Sequence, residues 1–336
     1  MIRELKKVDD HISLFEMKSD SLEVLVTNFG GTIIRLLMPD KNGQKGDVVL
    51  GYDSIAEYQA KDAYLGALVG RTANRTRKGT FSLNGKTYTL PLNDGPNSLH
   101  GGIHGFPKRS LMPRSRAIPS CLPIFRPTVR RISRQLAPYR NLYVKRRYAD
   151  APLPGHHRSG YLINITNHSY FNLSGGQEDI CSHTLQVHSD TYACIDANGL
   201  PTGEFRDTQG TPFDFHTPTR IGDALARQDE QLALGRGVDH PFLFNRAEDQ
   251  VVLCHPASGR RLTISSTLPG TQVYTGNQLD GRIGKYGIAY PKHFGICLET
   301  QNLPDAIHLE KDPSTILKKG DVYDETTSYT FEVVPS

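Results

Sequence analysis

The chain has 336 residues, a formal net charge of +4 and 22% charged residues, and this length can bury a substantial hydrophobic core. Its 31 glycines and 21 prolines predict many turns and few long helices. No apolar run reaches the roughly 18 residues that a membrane span needs, and charges interrupt the N-terminal residues where a signal sequence would be apolar. We therefore expect a cytoplasmic protein without a membrane partner.

The first predicted strands lie between residues 21 and 106. Residues 22–27 (LEVLVT) form an apolar, β-branched run, which is typical of a strand. Residues 81–83 and 86–90 alternate around Asn84-Gly85, a pair that tolerates the positive φ angles of a two-residue hairpin turn. This stretch therefore predicts a β-hairpin.

Residues 107–160 break this pattern. They contain 13 Lys or Arg against one acid, Asp150, and eight of the 21 prolines. Prolines at this density remove hydrogen-bond donors from a central strand. We interpret the segment as a basic, poorly ordered insertion rather than a polyanion-binding arm, because no aromatic interleaving or nucleic-acid module accompanies the charge. We therefore expect no nucleic-acid partner.

Beyond residue 160 the chain again predicts short strands. Turn pairs such as Asn198-Gly199 and Asp280-Gly281 separate them, and residues 221–234 have the period of one amphipathic helix. The strand candidates are residues 185–187, 251–254, 261–265, 272–274 and 329–334. Many short strands with frequent turns predict an all-β sandwich or barrel, and we find no internal repeat.

The five cysteines are widely spaced and form no CxxC pair. This spacing predicts neither a disulfide framework nor a cysteine-based zinc site. We expect reduced, mostly buried thiols at Cys121, Cys181, Cys194, Cys254 and Cys297.

Polar and ionisable residues concentrate in a few turn-rich segments. Glu299 lies in the apolar run ICLET, where an unpaired carboxylate is costly unless donors surround it or its pKa rises. Either condition suits a general base. Taken singly, His168 is as consistent with a structural histidine, and Asp239 with a turn cap. A zinc site is disfavoured because the histidines lack HxH or HExxH spacing.

Six of these segments together resemble one family, the aldose 1-epimerases, also called galactose mutarotases. The segments are GRTANR (70–75), GPNSLHGG (95–102), NITNHSYFNL (164–173), GVDHPF (237–242), PGTQVYTGN (269–277) and CLETQNLPDA (297–306). The resemblance implies an all-β fold, a large antiparallel β-sandwich with few short helices, of the galactose mutarotase-like supersandwich type. It also implies that residues 1–336 form a single domain whose concave face binds a hexose.

The resemblance also implies roles for particular residues. His168 corresponds to the family's general acid and Glu299 to its general base. The residues that correspond to the sugar-binding set are Asn74, Arg75, His100, Asp239 and Gln272, with Ser169 and Tyr170 flanking the acid. Interconverting α and β anomers requires taking a proton from the C1 hydroxyl while protonating the ring oxygen, so a carboxylate and an imidazolium suit it. We expect a free hexose, galactose or glucose, as the partner, and neither a metal nor another cofactor.

Residues 108–160 depart from the family, which at this place continues with strand-forming sequence and a glycine-rich acidic loop. Their number is about what the family needs there, but their composition is foreign. Our hypothesis is a frame-shifted translation bounded by two compensating shifts, and a divergent insertion is the alternative.

Three other functions remain open at this point. A hexose-6-phosphate 1-epimerase would need a basic cluster at the far end of the sugar. A glycosidase would use Asp239 and Glu299 as its two carboxylates. A non-catalytic sugar-binding module would keep the pocket alone, and the presence of both His168 and Glu299 disfavours it.

Overall fold

The computed structural model describes residues 2–19, 22–60, 64–111, 124–128, 140–149, 160–309, 315–318 and 321–334, of which 124–128 and 140–149 are described by their backbone. These residues form many strands and four short α-helices. Every pair of named strands is antiparallel, so the predicted all-β class is confirmed.

Most of the strands are short, and the helices are shorter than two full turns. In chain order the strands are β1 (Ile2–Lys7), β2 (Ser13–Lys18), β3 (Glu23–Thr27), β4 (Thr32–Pro39), β5 (Lys45–Asp47), β6 (Leu68–Val69), β7 (Arg75–Thr76), β8 (Thr80–Leu83), β9 (Lys86–Thr89), β10 (Ser98–Leu99), β11 (Ile124–Thr128), β12 (Arg140–Ala149), β13 (Tyr161–Leu162), β14 (Thr166–Asn167), β15 (Tyr170–Phe171), β16 (Thr184–Val187), β17 (Thr191–Ile195), β18 (Pro201–Asp207), β19 (Thr219–Arg220), β20 (Asp239–Leu243), β21 (Val251–His255), β22 (Arg260–Ser266), β23 (Gly270–Tyr274), β24 (Arg282–Ile283), β25 (Ala289–Tyr290), β26 (Ile296–Gln301), β27 (Ile316–Leu317) and β28 (Val322–Val333). The helices are α1 (Ile55–Ala60), α2 (Ile221–Leu225), α3 (Glu230–Gly235) and α4 (Ala306–Leu309), with 3₁₀ turns at Arg77–Gly79, Phe106–Lys108, Ile180–Ser182 and Lys285–Gly287.

Three larger sheets organise these strands. A five-stranded sheet has the order β1-β2-β3-β4-β5, a seven-stranded sheet β11-β12-β28-β22-β21-β16-β19, and a six-stranded sheet β15-β26-β23-β20-β17-β18. One buried apolar cluster takes residues from all three, including Val24, Leu262 and Val273. The sheets therefore share a continuous core.

The six-stranded sheet presents its side chains to two environments, because alternate residues of a strand face opposite sides. On β26, Ile296 and Leu298 belong to the shared core. Cys297 belongs to a second buried cluster, and Glu299 lies on that same opposite face by alternation. A strand whose six residues are all buried can thus hold a carboxylate without placing it in the apolar core.

Most predicted elements are confirmed. The hairpin forms as β8 and β9, with positive φ at Asn84 and Gly85. Each later strand candidate lies in a strand, except that β28 ends at Val333, one residue before the predicted end. The helix predicted at residues 221–234 is instead two helices, α2 and α3. The Asp229 side chain accepts hydrogen bonds from the Gln231 and Leu232 main-chain N–H groups, so it starts a new helix in place of continuing the first.

Two strands lie within the basic segment, where the sequence predicted none. β12 pairs along its whole length with β28, and β11 pairs with β12. β11 contains Pro127 and is the edge strand of its sheet among the described residues, and an edge strand tolerates a missing N–H donor.

Two further predictions concern bulk properties. Within the described parts of the chain, no helix combines the length and apolarity that crossing a membrane requires. The four described cysteines are free thiols, with Cys194 and Cys297 buried and Cys181 and Cys254 partly exposed. Cys121 lies outside the described residues.

Candidate active site

A polar pocket opens beside the six-stranded sheet. Its cavity volume is about 130 Å³. Its lining residues are Tyr64, Asn74, Arg75, Leu99, His100, His168, Tyr170, Asp239, Tyr274, Gln278, Leu279, Arg282 and Glu299. The pocket therefore collects residues from sequence segments more than 200 positions apart.

Adjacent strands of the sheet supply the acidic side of the pocket. Gln272 of β23 is the register partner of Glu299 on β26, and Asp239 begins β20, next to β23. The Gln272 Nε2 atom donates to Asp239 Oδ1 at 2.7 Å. Among the described residues, Glu299 Oε2 and Gln272 Oε1 are buried without a hydrogen-bond partner. Because Glu299 lines the pocket, its unpaired buried acceptor is suited to receive a hydroxyl donor from a ligand.

The opposite side comes from β7, β10 and the residues beside them. The Asn74 main-chain N–H donates to His100 Nδ1 at 3.2 Å, and the His100 N–H donates to the Asn74 carbonyl. Arg75 donates through Nε to Asp94 Oδ2 at 2.7 Å. Asn74 and His100 both have positive φ. These bonds hold His100 and Arg75 in fixed orientations at the pocket.

His168 lies between β14 and β15. Its main-chain N–H donates to the Ala67 carbonyl, and its carbonyl accepts from the Gly66 N–H. The residue is 5% exposed, and its ring lies 5.1 Å, centroid to centroid, from both His100 and Tyr170. The Nε2 atom is 3.6 Å from Glu299 Oε1, slightly longer than a hydrogen bond. The imidazole and the carboxyl thus face each other across a narrow gap.

Burial shifts the protonation of both groups in the empty pocket. It raises the pKa of Glu299 well above its usual value, with the charge of Asp239 adding to the effect and Arg75 opposing it. Burial also lowers the pKa of His168 to about 4 and raises the pKa of Asp239. At pH values between the two shifted pKa values, Glu299 is a neutral carboxyl and His168 a neutral imidazole, so the two groups share one exchangeable proton.

His100, His168 and Glu299 also have the composition of a metal site, and their ligand atoms lie within 4.8 Å of one another. The hydrogen bonding of His100 argues against that use. Because its Nδ1 accepts from the Asn74 N–H, the neutral ring carries its proton on Nε2. A metal bound at Nε2 would need the lone pair of Nε2, which requires the proton to move to Nδ1. Nδ1 could then no longer accept from the Asn74 N–H, and a buried hydrogen bond would be lost.

The structure brings most of the sequence-predicted site residues together. Asn74, Arg75, His100, His168, Tyr170, Asp239 and Glu299 line the pocket. Gln272 is hydrogen-bonded to the lining residue Asp239, but neither Gln272 nor Ser169 is itself a lining residue. Ile165 and Phe171, which lie an even number of residues from Ser169, belong to the apolar core. Alternation along the chain therefore explains why Ser169 faces away from the pocket.

Sequence reasoning missed several pocket residues. Tyr274 follows Gln272 by two positions on β23, and strand alternation could have indicated it. Tyr64 packs against the His100 ring at 4.7 Å. Arg282, which pairs with Asp280 at 2.9 Å, lies in an ordinary turn sequence. No sequence signal marks the last two.

A buried carboxyl and an imidazole that face each other in a polar pocket of an antiparallel β fold are the groups that acid–base catalysis uses. The sequence profile described as "Aldose 1-epimerase" matches residues 13–110 and 159–330 and leaves residues 111–158 unmatched. The galactose mutarotase of Sus scrofa is 40% identical, over 96% of this chain and 94% of its own length. The aldose 1-epimerase of Escherichia coli K12 is 31% identical, over 92% and 91%.

A solved structure agrees with these relatives. An aldose epimerase homologue from C. elegans superimposes with a TM-score of 0.80 at 26% identity, and the match covers 96% of this chain and 100% of that one. The chain therefore belongs to the aldose 1-epimerase family. It is an isomerase that interconverts the anomers of hexoses.

Proposed function

We propose that His168 is the general acid and Glu299 the general base of a mutarotase acting on free galactose or glucose. The observation that carries this proposal is the buried pair itself, with Nε2 and Oε1 at 3.6 Å and opposite shifts in pKa that leave one proton for two groups. Ring opening needs one group that takes a proton and one that gives a proton.

The proton balance of the reaction fits this pair. Ring opening starts from the carboxylate of Glu299 and the imidazolium of His168. Glu299 takes the proton of the C1 hydroxyl, His168 protonates the ring oxygen, and the C1–O5 bond breaks to leave an aldehyde. After rotation about C1–C2, the two proton transfers reverse and the ring closes on the other face.

The empty pocket favours the form that follows ring opening. Burial disfavours charge on both groups, so the proton resides on Glu299 and the His168 ring is neutral. This is the same form that the pair has beside the open-chain aldehyde. Binding of the cyclic sugar must therefore draw the proton towards His168, and donors to Glu299 Oε2, which is unpaired among the described residues, would favour that transfer.

The remaining pocket residues are suited to hold hydroxyl groups. In this proposal Arg75, His100 and Asp239 contact the sugar, and Gln272 orients Asp239 through the 2.7 Å bond. Asn74 supports His100 through its main chain. Tyr170 packs against the ring of the proposed acid at 5.1 Å between centroids, and Ser169 links these two residues in the chain. A buried site that pairs polar groups with each hydroxyl discriminates against sugars that lack one.

A neutral hexose suits this pocket better than a hexose 6-phosphate. Both guanidinium groups that line it have a carboxylate partner, Arg75 with Asp94 and Arg282 with Asp280. A phosphate would have to compete with these pairs. A cytoplasmic location and the lack of nucleic-acid and membrane partners stay predictions from the sequence.

Polarimetry tests the proposal. Freshly dissolved α-D-galactose should reach its equilibrium rotation faster with the folded protein than without it, and His168→Asn should lower turnover by orders of magnitude while sugar binding remains measurable. Unchanged turnover in this variant would refute the role of His168. Binding without acceleration in the unmodified chain would favour the sugar-binding module, and hydrolysis of a galactoside would favour the glycosidase.

We also propose that residues 1–336 form one domain in which residues 108–160 are an atypical segment produced by two compensating frame shifts. Support comes from the family profile, which stops at residue 110 and resumes at 159. Reading the coding DNA of this segment in its other frames tests the idea. Recovering alternating strand sequence with a glycine-rich acidic loop is expected, and failure in both frames would leave the divergent insertion.

A further inference from the structure

Cys297 faces the general acid from the side opposite the general base. Its Sγ atom lies 3.4 Å from His168 Nδ1, whereas Glu299 Oε1 lies 3.6 Å from Nε2. Cys297 and Glu299 are two residues apart on β26, so both project from one face of the strand. The imidazole is therefore held between a thiol and a carboxyl of a single strand.

The two ring nitrogens of His168 meet different environments. Glu299, the neighbour of Nε2, lines the pocket, and Cys297, the neighbour of Nδ1, does not. Cys297 is fully buried. Only Nε2 thus faces the side from which a sugar approaches, and Nδ1 faces the interior.

The proton balance assigns a state to each nitrogen. If Nε2 gives a proton in ring opening and takes it back in closure, then Nδ1 must keep its own proton throughout. A retained buried N–H needs an acceptor. Burial, with the charges of Glu299 and Asp239 adding to it, raises the pKa of Cys297 well above its usual value. The sulfur therefore stays a neutral thiol with lone pairs that can accept.

We propose that Cys297 is the positioning residue of the general acid, accepting a hydrogen bond from His168 Nδ1–H and thereby reserving Nε2 for proton exchange. This inference rests on the acid role proposed for His168. A thiol sulfur is a weak acceptor, so it fixes the tautomer without the strong stabilisation of the imidazolium that a carboxylate would give. The imidazolium accordingly releases its proton readily to the ring oxygen.

Nitrogen-15 NMR of the sugar-free, full-length protein tests the tautomer directly. With ¹⁵N-labelled histidine at pH 7, the His168 resonances, assigned by their loss in His168→Asn, should show a protonated Nδ1 and an unprotonated Nε2. The opposite tautomer would overturn the proposal. This readout does not depend on activity.

Two substitutions should act in opposite directions on the pH profile. Cys297→Ala removes the acceptor, so kcat should fall about tenfold with KM within about twofold, and the acidic limb of the kcat profile should move to lower pH. Cys297→Ser supplies a stronger acceptor, so kcat should stay within about threefold of the unmodified chain, and that limb should move to higher pH. Limbs that move in the same direction, or not at all, would overturn the proposal.

Cys194→Ala is the matched control, because Cys194 is also a buried thiol but does not line the pocket. It should change stability by a comparable amount and leave kcat and the His168 tautomer unchanged. If Cys297→Ala does not fold, the pH profile of Cys297→Ser and the His168 tautomer in the unmodified chain still test the proposal. An active His168→Asn variant would contradict the proposed acid role itself. If that variant is inactive but His168 of the unmodified chain has the opposite tautomer, only the role of Cys297 is contradicted.

Discussion

Two buried histidines of this protein have similar neighbours and different surroundings. In the pocket cluster (His168, Cys297 and Glu299), Nδ1 faces a thiol at 3.4 Å and Nε2 faces a carboxyl at 3.6 Å. The turn cluster is formed by His255, Glu178 and Ser258. There, Nδ1 lies 2.9 Å from the Ser258 hydroxyl and Nε2 lies 2.7 Å from Glu178 Oε1.

The difference lies in how completely each cluster is satisfied. The Ser258 hydroxyl donates to the Leu173 carbonyl and accepts from the Arg260 N–H, so the turn cluster ties the loop before Glu178 to the β21–β22 turn. The pocket cluster has longer contacts and, within the described residues, an unpaired Glu299 Oε2. Short, completed hydrogen bonds indicate a structural network, and long, incomplete ones beside a cavity indicate a site awaiting a ligand.

The largest effect that separates the clusters should come from the two glutamates. Glu299→Gln removes the proposed base, and we expect kcat to fall by roughly 10² to 10⁴. Stability should hold or rise, because a neutral amide replaces a poorly solvated carboxyl. Polarimetry and thermal unfolding measure the two quantities.

Glu178→Gln is the matched control for this prediction. It should leave kcat per folded molecule within about twofold, because a surface-facing partner of a structural histidine contributes nothing to the proton transfers. Equal losses of activity in both variants would contradict the division between the clusters.

His255→Ala should give the next largest effect, and on stability instead of rate. It removes a ring that is hydrogen-bonded to Glu178 and Ser258 and stacked on His183 at 4.6 Å. We expect a loss of about 3 kcal/mol in the free energy of unfolding, measured by urea denaturation. The kcat of the fraction that remains folded should be unchanged, and a large fall in that kcat would show that the turn cluster influences the pocket.

The pH dependence of kcat/KM should follow the protonation of His168 and Glu299 in the pocket cluster, and not that of the turn cluster. As the pH falls below about 4, His168 gains a proton while Glu299 already holds one, so the base is lost. As the pH rises past the raised pKa of Glu299, the pair loses its last proton, so the acid is lost. The profile should be bell-shaped, with a tenfold fall per pH unit on each limb.

Two checks accompany this profile. Circular dichroism at each pH must show folded protein, since His183 and His240, whose pKa values burial lowers to about 3, make the fold less stable as the pH falls below about 6.5. The profile of Glu178→Gln should superimpose on that of the unmodified chain. A shifted limb in that variant would place a titrating group of the turn cluster in the reaction.

The sequence predicted the pocket cluster better than the turn cluster, for a physical reason. Glu299 inside an apolar strand conflicts with burial, and such a conflict is visible without coordinates. His255, by contrast, ends β21 in an ordinary strand sequence, and its partner Glu178 is 77 residues away. Cys297 was expected only to be a buried thiol, because its distance to Nδ1 depends on how β15 and β26 pair.

The fold was predictable where local signals and tertiary structure agree. Asn84-Gly85 specifies its hairpin through backbone conformation alone. The strand β12 has no such local signal, and its pairing with β28 is a long-range contact. Arg282 follows the Asp280-Gly281 turn pair at the start of β24, and no periodicity of the sequence places it at a cavity.

The smallest effect should separate the two neighbours of Nδ1. Ser258→Ala removes the hydroxyl that pairs with the Arg260 N–H and with His255 Nδ1. The free energy of unfolding should therefore fall by about 1 kcal/mol, and kcat should be unchanged. Cys297→Ala should do the reverse and lower kcat, with little loss of stability beyond that of Cys194→Ala. Measuring kcat and the free energy of unfolding for Ser258→Ala, Cys297→Ala and Cys194→Ala should show that His255 contributes to stability and His168 to turnover. A Ser258→Ala variant that lost activity but not stability would mean that hydrogen-bond completeness does not distinguish structural from catalytic histidines in this fold.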